Sequence, residues 1–194
     1  MKIILASSSP RRREILSNIN VDFEICTPPD SAEVSIDEKK SCSPSEFAVL
    51  NAEKKAEAVA KICGQKDAVV LGADTVVVLD DVILGKPIDA DDAKRMLNLL
   101  SDRTHFVISG ICVINLKTGK KLSSYEKTEV AFKKLSEEEI DSYIKSSEPF
   151  GKAGAYAIQG LASLFIPYIN GCYFNVVGLP IFKCMSMIKE ITEL

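Results

Sequence analysis

The sequence predicts a mixed α/β fold, and three observations carry that expectation. Short apolar runs rich in Val and Ile alternate with longer segments of helical periodicity. Hydrophobic residues make up 46% of the 194 and charged residues 26%. No internal repeat, low-complexity tract or obvious linker divides the chain. A chain of this length forms one domain or two close lobes and buries roughly 70% of its unfolded surface. Strands are expected at 2–6, 21–26, 68–72, 75–79, 106–115, 121–132, 162–169 and 172–177, and helices at 10–19, 44–63, 89–101, 136–146 and 179–192.

The first strand, Ile3-Ile4-Leu5, runs into Ala6-Ser7-Ser8-Ser9-Pro10-Arg11-Arg12-Arg13. Ser9 suits an N-cap and Pro10 suits the first helical position, so the chain turns into a helix with unpaired N–H groups facing outward. Phosphate binds at such ends. Three arginines in the first turn oppose the helix dipole, each at about 0.3–1 kcal/mol when exposed, which a bound anion would explain. The apolar positions Ile15, Leu16 and Ile19 define the buried stripe, which turns Arg11 and Arg12 toward a shared cleft and Arg13 toward water. A solvated basic turn is the plainer alternative.

After a strand at 21–26, residues 27–43 are rich in Pro, Ser, Asp and Glu and read as a mobile loop, with a lid as one use. The helix from Pro44 to Cys63 is the best-specified element, with Ser43 and Glu46 as a capping box and Gly64 to end it. Ala48, Ala52, Ala56, Val59 and Cys63 share one face. Lys55 falls at the edge of that face and Lys54 points away, so Lys55 is the inward lysine, unless it merely snorkels.

The run from Val69 to Leu79 holds one carboxylate, Asp74, among residues that read as buried. Burying it unpaired costs several kcal/mol, so it should meet a cation, a metal ion or N–H donors. Asp80-Asp81 reads as a two-residue hairpin turn. The returning segment then sets Lys86 opposite Thr75, about 5 Å away at Cβ and within reach of Asp74. Further on, the helix at 136–146 has its own capping box, Ser136 to Glu139. It is followed by the glycine-rich stretch from Glu148 to Gly160, where Gln159 offers both a donor and an acceptor.

Other chemistries find little support. The six cysteines are scattered without a CxxC pair and read as buried free thiols rather than disulfides or a zinc site. His105, the single histidine, has no nearby acid and reads as a surface or packing residue, and no nucleophile-elbow serine is present. A net charge of −3 argues against broad nucleic-acid binding, and no apolar span is long enough for a membrane helix. The short apolar start, with its positive charge following, reads as a strand rather than a signal peptide, so the cytoplasm is the expected compartment.

Taken together, Ala6-Ser7-Ser8-Ser9-Pro10-Arg11-Arg12, Leu71-Gly72-Ala73-Asp74-Thr75, Gly85-Lys86-Pro87, Lys152 to Gly160 and Val177-Gly178-Leu179-Pro180 resemble the Maf family of nucleoside triphosphate pyrophosphatases, also called septum-formation inhibitor proteins. The resemblance implies a single domain over residues 1–194 with a mixed, strongly twisted central sheet flanked by helices. Two lobes would stand around a cleft, similar to inosine-triphosphate pyrophosphatases. It implies hydrolysis of a nucleoside triphosphate to monophosphate and pyrophosphate with a divalent metal, Mg²⁺ or Mn²⁺, and a homodimeric assembly. The family's catalytic aspartate falls on Asp74, and its phosphate-binding and cleft positions on Ser7, Ser9, Arg12, Glu33, Lys55 and Lys86, with Glu33 on the metal. The branch that prefers dTTP and UTP matches at Arg11, Thr75 and Gln159. Gly151 stands where many members carry an acidic residue. Asp74 suits either a general base or a metal ligand. Two rival readings are a cell-division regulator that senses nucleotide without turnover, and a phosphatase that releases orthophosphate.

Overall fold

The computed structural model describes residues 2–36 and 42–193. The chain runs through β1 (Lys2–Ala6), α1 (Pro10–Ser17), β2 (Phe23–Ile25), a 3-10 turn at Asp30–Ala32, α2 (Pro44–Ile62), β3 (Ala68–Leu79), β4 (Val82–Leu84) and α3 (Ala90–Leu100). It continues through β5 (Thr104–Asn115), β6 (Lys121–Ala131), α4 (Glu137–Lys145), 3-10 turns at Ala153–Ala155 and Leu161–Phe165, β7 (Tyr168–Asn170), α5 (Tyr173–Val177) and α6 (Ile181–Glu193). Among the described residues the strands form one seven-stranded sheet in the order β2-β1-β3-β5-β6-β7, with β4 also on β3. The two strands next to one another at the first end, β1 and β2, are parallel, as are β1 and β3, and the remaining pairings are antiparallel.

The mixed α/β expectation holds, with local corrections. The expected strands 68–72 and 75–79 are one strand, β3, because β5 pairs with it without a break from Val69 to Val78. The segment 162–169 is mainly the Leu161–Phe165 turn, and 172–177 is the helix α5 rather than a strand. Ile19 lies past the end of α1 and is 40% exposed, so the stripe of that helix is Ile15, Leu16 and Arg12. Within the loop read as mobile, residues 37–41 lie outside the described residues. The hairpin at Asp80-Asp81 forms as expected, both residues taking positive φ (49° and 64°), and its register begins at Leu79↔Val82. The cysteines are all free.

Alternation along β3 divides the core. On one face Val69, Leu71 and Ala73 join a cluster with α1 and α6, while Val77 and Leu79 join another with α3 and α4. On the opposite face Ala68 and Val70 pack under α2, and Val76 and Val78 join Phe47 and Ala48. Only Asp74 and Thr75 interrupt the buried pattern of this strand, one on each face.

The helix α2 lies unusually close to the sheet because the residues between them are small. Ala48, Ala52 and Ala56 are fully buried. Gly72 and Gly110 face them, and a Cβ at Gly110 would stand 2.2 Å from the Ala48 carbonyl oxygen, while one at Gly72 would stand 2.3 Å from the Ala52 carbonyl oxygen. Backbone cannot yield as a flexible side chain would. Gly110→Ala should therefore lift α2 and lower the unfolding free energy by about 1–3 kcal/mol in urea titration.

His105 is a packing residue. It is fully buried, its Nε2 lies 2.8 Å from the Tyr156 hydroxyl, and its ring meets Phe132 and Tyr156 edge-on. Burial pushes its pKa down from 6.5 to about 4. Between those values the unfolded chain binds a proton that the native one refuses, so the contribution is complete above pH 6.5 and is lost as pH falls toward 4. Replacing His105 by Gln should remove about 3 kcal/mol of that pH dependence, read as a flatter stability profile between pH 6.5 and 4.

Candidate active site

The site is a gap in the sheet. One edge of β3 is covered by β5; on the other, β1 pairs only as far as Gly72 and β4 begins only at Val77. Residues 73–76 are thus left as an open stretch of edge between two strand ends. A cavity of about 750 Å³ opens there, beyond the carboxyl end of β1, where ligands of α/β sheets commonly bind. Its walls include the Ser7–Arg12 turn, Glu33, Lys55, Asp74, Thr75, Lys86, Lys152 and Gln159.

Arg12 closes the open edge from the Thr75 face. Its Nη1 donates to the Ala73 carbonyl (2.9 Å) and to Ser7 Oγ (3.1 Å), its Nη2 to Thr75 Oγ1 (3.1 Å), and its Nε to the Gly178 carbonyl (2.8 Å). Burial pushes the pKa of this guanidinium down, opposed by Asp74 nearby, but an arginine remains charged. Ser7 Oγ also accepts from the Ser9 N–H at 3.2 Å. Ser9 occupies the N-cap of α1, yet its side chain makes no capping bond, and α1 has no acid in its first turn. The positive end of that helix is therefore uncompensated where it meets the cavity.

Lys55 approaches from the Asp74 face. Its ammonium lies 2.6 Å from Asp74 Oδ1 and 2.8 Å from Glu33 Oε1. The Lys55 and Asp74 side chains are 6% and 16% exposed, so water screens the pair little, whereas Glu33 is about half exposed. The short spacing of α2 above Gly72 is what brings this ammonium down to the strand. Cations fixed by both faces of the sheet thus meet at one break in its edge.

The sequence-predicted residues converge. Asp74, Ser7, Ser9, Arg11, Arg12, Glu33, Lys55, Thr75, Lys86 and Gln159 all line the one cavity, while Arg13 is exposed and away from it. Lys86 follows β4 as the hairpin register requires, but the ladder ends at Val77↔Leu84, so Thr75 and Lys86 border open space instead of pairing. Thr75 Oγ1 is engaged with Arg12, with Ser109 Oγ (2.8 Å) and with the Gly178 carbonyl (3.3 Å), which makes it a fixed part of the wall.

Three contributors escaped the sequence reading. Asn51 is buried on α2 and holds Val34 through two hydrogen bonds (2.8 and 3.2 Å), which sets Glu33 beside Lys55. It lies four residues before Lys55 on the same face, a polar position in a stripe of alanines that would have marked it. Ser109 sits opposite Thr75 in the β3–β5 register, visible only once the strands are aligned. The Gly178 carbonyl is backbone and leaves no side-chain signal.

A mixed α/β sheet with a break in one edge, fixed cations converging on a carboxylate there and a helix N-terminus opening into the same space is suited to a polyanion such as linked phosphates. The chain belongs to the Maf family: the family described as Maf-like protein matches residues 2–191. It is 47% identical over 191 residues to a dTTP/UTP pyrophosphatase of Thermoanaerobacter sp., covering 98% of this chain and 96% of that one. It is 48% identical over 189 residues to a dTTP/UTP pyrophosphatase of Bacillus cereus, covering 97% and 95%. Among solved structures, the nucleoside-triphosphatase / dITP/XTP pyrophosphatase of Mycobacterium abscessus is 17% identical with a TM-score of 0.45, over 70% of this chain and 76% of that one, a distant likeness.

Arg12 ties three separate segments, so its removal should be felt as stability. Arg12→Met should strand the Ala73 acceptor, leave the Gly178 carbonyl with Thr75 Oγ1 alone and cost about 3 kcal/mol in urea unfolding, and Arg12→Lys should recover little of it because an ammonium lacks the planar fork.

Proposed function

We propose that this chain is a nucleoside triphosphate pyrophosphatase that hydrolyses dTTP and UTP, and modified uridine triphosphates, to the monophosphate and pyrophosphate, a housecleaning activity on the nucleotide pool. The carrying observation is that Asp74 is paired with Lys55 at the break in β3 that Arg12 spans, in a chain that aligns almost end to end with relatives bearing that name. Arg12, Lys55 and Lys86, with the N-terminus of α1, hold the triphosphate. Because packing and hydrogen bonds already fix Arg12 and Lys55, little reorganisation of these two accompanies the reaction.

Glu33 and Asp74 place two carboxylates beside one ammonium. Hard oxygen donors of this kind fit Mg²⁺ or Mn²⁺, which take one or two carboxylates and complete their shell with phosphate oxygens and water. Glu33 would hold such an ion, which supplies charge neutralisation at the reacting phosphoryl group. Asp74 accepts a proton from water as the water oxygen attacks the α-phosphorus. The bond from that phosphorus to its bridging oxygen then breaks, and pyrophosphate leaves. Lys55 holds the Asp74 carboxylate in place before the attack.

Gln159 meets the O4/N3 edge of uracil or thymine with its amide, while Arg11 and Thr75 shape the surrounding wall. Among the described residues no helix is long and apolar enough to cross a membrane. The proposed setting is the cytoplasm and the proposed assembly a homodimer, with a nucleoside triphosphate rather than nucleic acid or membrane as partner.

Resolving the products of several triphosphates with Mg²⁺ or Mn²⁺ tests the reading directly. UMP with pyrophosphate is expected from UTP; UDP with orthophosphate, binding without turnover, or a purine preference would each overturn it. Asp74→Asn should lower kcat by about 10²–10⁴-fold while the fold persists.

A further inference from the structure

Among the described residues no hydrogen bond holds the Gln159 side chain. It is exposed on a loop, in a stretch whose glycines favour mobility. The backbone on both sides of it, however, is fastened to one pair, a buried tyrosine and a half-buried glutamate. Tyr143, on α4, is 2% exposed, and its hydroxyl donates to Glu148 Oε1 at 2.9 Å while accepting the Ala157 N–H at 3.2 Å. The second carboxylate oxygen, Glu148 Oε2, accepts the Leu161 N–H at 3.0 Å. Gln159 lies midway between those two anchored amides.

The fit around the pair is close. A Cβ at Gly160 would stand 2.3 Å from either Glu148 carboxylate oxygen, so the acid lies directly against the loop backbone and a side chain at that position would displace it. The Tyr143 ring is itself fixed edge-on against Phe165, with centroids 5.2 Å apart. The Glu148 N–H bonds to Ser146 Oγ at 3.2 Å, which ties the acid to the end of α4. Neither Tyr143 nor Glu148 lines the cavity.

We propose that Tyr143 and Glu148 act as positioning residues for base selection: a two-point clamp that sets how far Gln159 stands from the nucleotide base. The inference rests on the pyrimidine-triphosphatase reading and deepens it. A glutamine amide alone recognises a lactam edge, and that edge occurs on uracil and also on the larger purine hypoxanthine. Selection between them therefore depends on distance, and distance is set by backbone held at Ala157 and Leu161. Releasing either point lets the loop retreat and admit the larger ring.

The discriminating substrates are UTP and ITP, which share the recognised edge and differ in ring size. In Tyr143→Phe, which keeps the ring packing and deletes only the hydroxyl, the ratio of kcat/KM for UTP to that for ITP should fall about tenfold, with KM for UTP raised and its kcat little changed. Glu148→Ala should lose as much, and Glu148→Gln, which keeps one oxygen acceptor, should recover part of it. The ratio cancels any loss of folded enzyme. Hydrogen exchange at the Ala157 and Leu161 amides should accelerate in Tyr143→Phe and in Glu148→Ala, respectively. An unchanged UTP:ITP ratio in both Tyr143→Phe and Glu148→Ala, with wild type active on UTP, overturns this inference alone, as does unchanged exchange. A wild-type protein inactive on UTP and dTTP overturns the underlying reading and this inference with it.

Discussion

A sheet edge left unpaired within a fold is a costly place, and one arginine makes it tolerable here. Between the last residue of β1 and the first paired residue of β4, the free edge of β3 exposes backbone that another strand would otherwise cover. Arg12 satisfies the Ala73 carbonyl and bridges to Thr75, Ser7 and Gly178, so the opening is held rather than closed. The same side chain delivers positive charge to the opening. Structure and chemistry therefore depend on one guanidinium, and the planar fork suits both tasks.

The second requirement is a short distance between layers. A face of alanines on α2 against Gly72 and Gly110 brings a helix down onto the strand that carries Asp74, so a lysine stem spans from one to the other. Larger residues would fill the core as well but would withdraw the ammonium. Small residues are thus used here for reach, at the expense of the apolar area that bulkier side chains would bury. Asn51 completes the arrangement by holding the loop that carries Glu33.

Much of this was legible in the sequence because the relevant groups contradict their surroundings. Asp74 in an apolar strand, Lys55 on an alanine stripe, and Arg11 and Arg12 at a helix N-terminus each break a local pattern, and each proved to line the cavity. What was misread has physical causes. Ala73 and Asp74 read as a gap between two strands, yet Ile111 and Gly110 opposite them let β5 pair straight through. The residues 173–177 have the β-branched and aromatic composition of a strand, but Asn175 turns inward to donate to Val107 and Thr128, and that tertiary contact accompanies a turn of helix. Ser109 and the Gly178 carbonyl contribute through register and backbone, which no single-residue pattern announces.

The reach of Arg12 to Gly178 spans 166 positions of the chain. A nascent polypeptide leaving the ribosome would already carry the arginine turn, the lysine helix and the aspartate strand, yet its guanidinium would lack one of its acceptors until Gly178 emerges. Competence thus waits on a distant segment: chains cut before Gly178 would carry the charged groups without holding them in register.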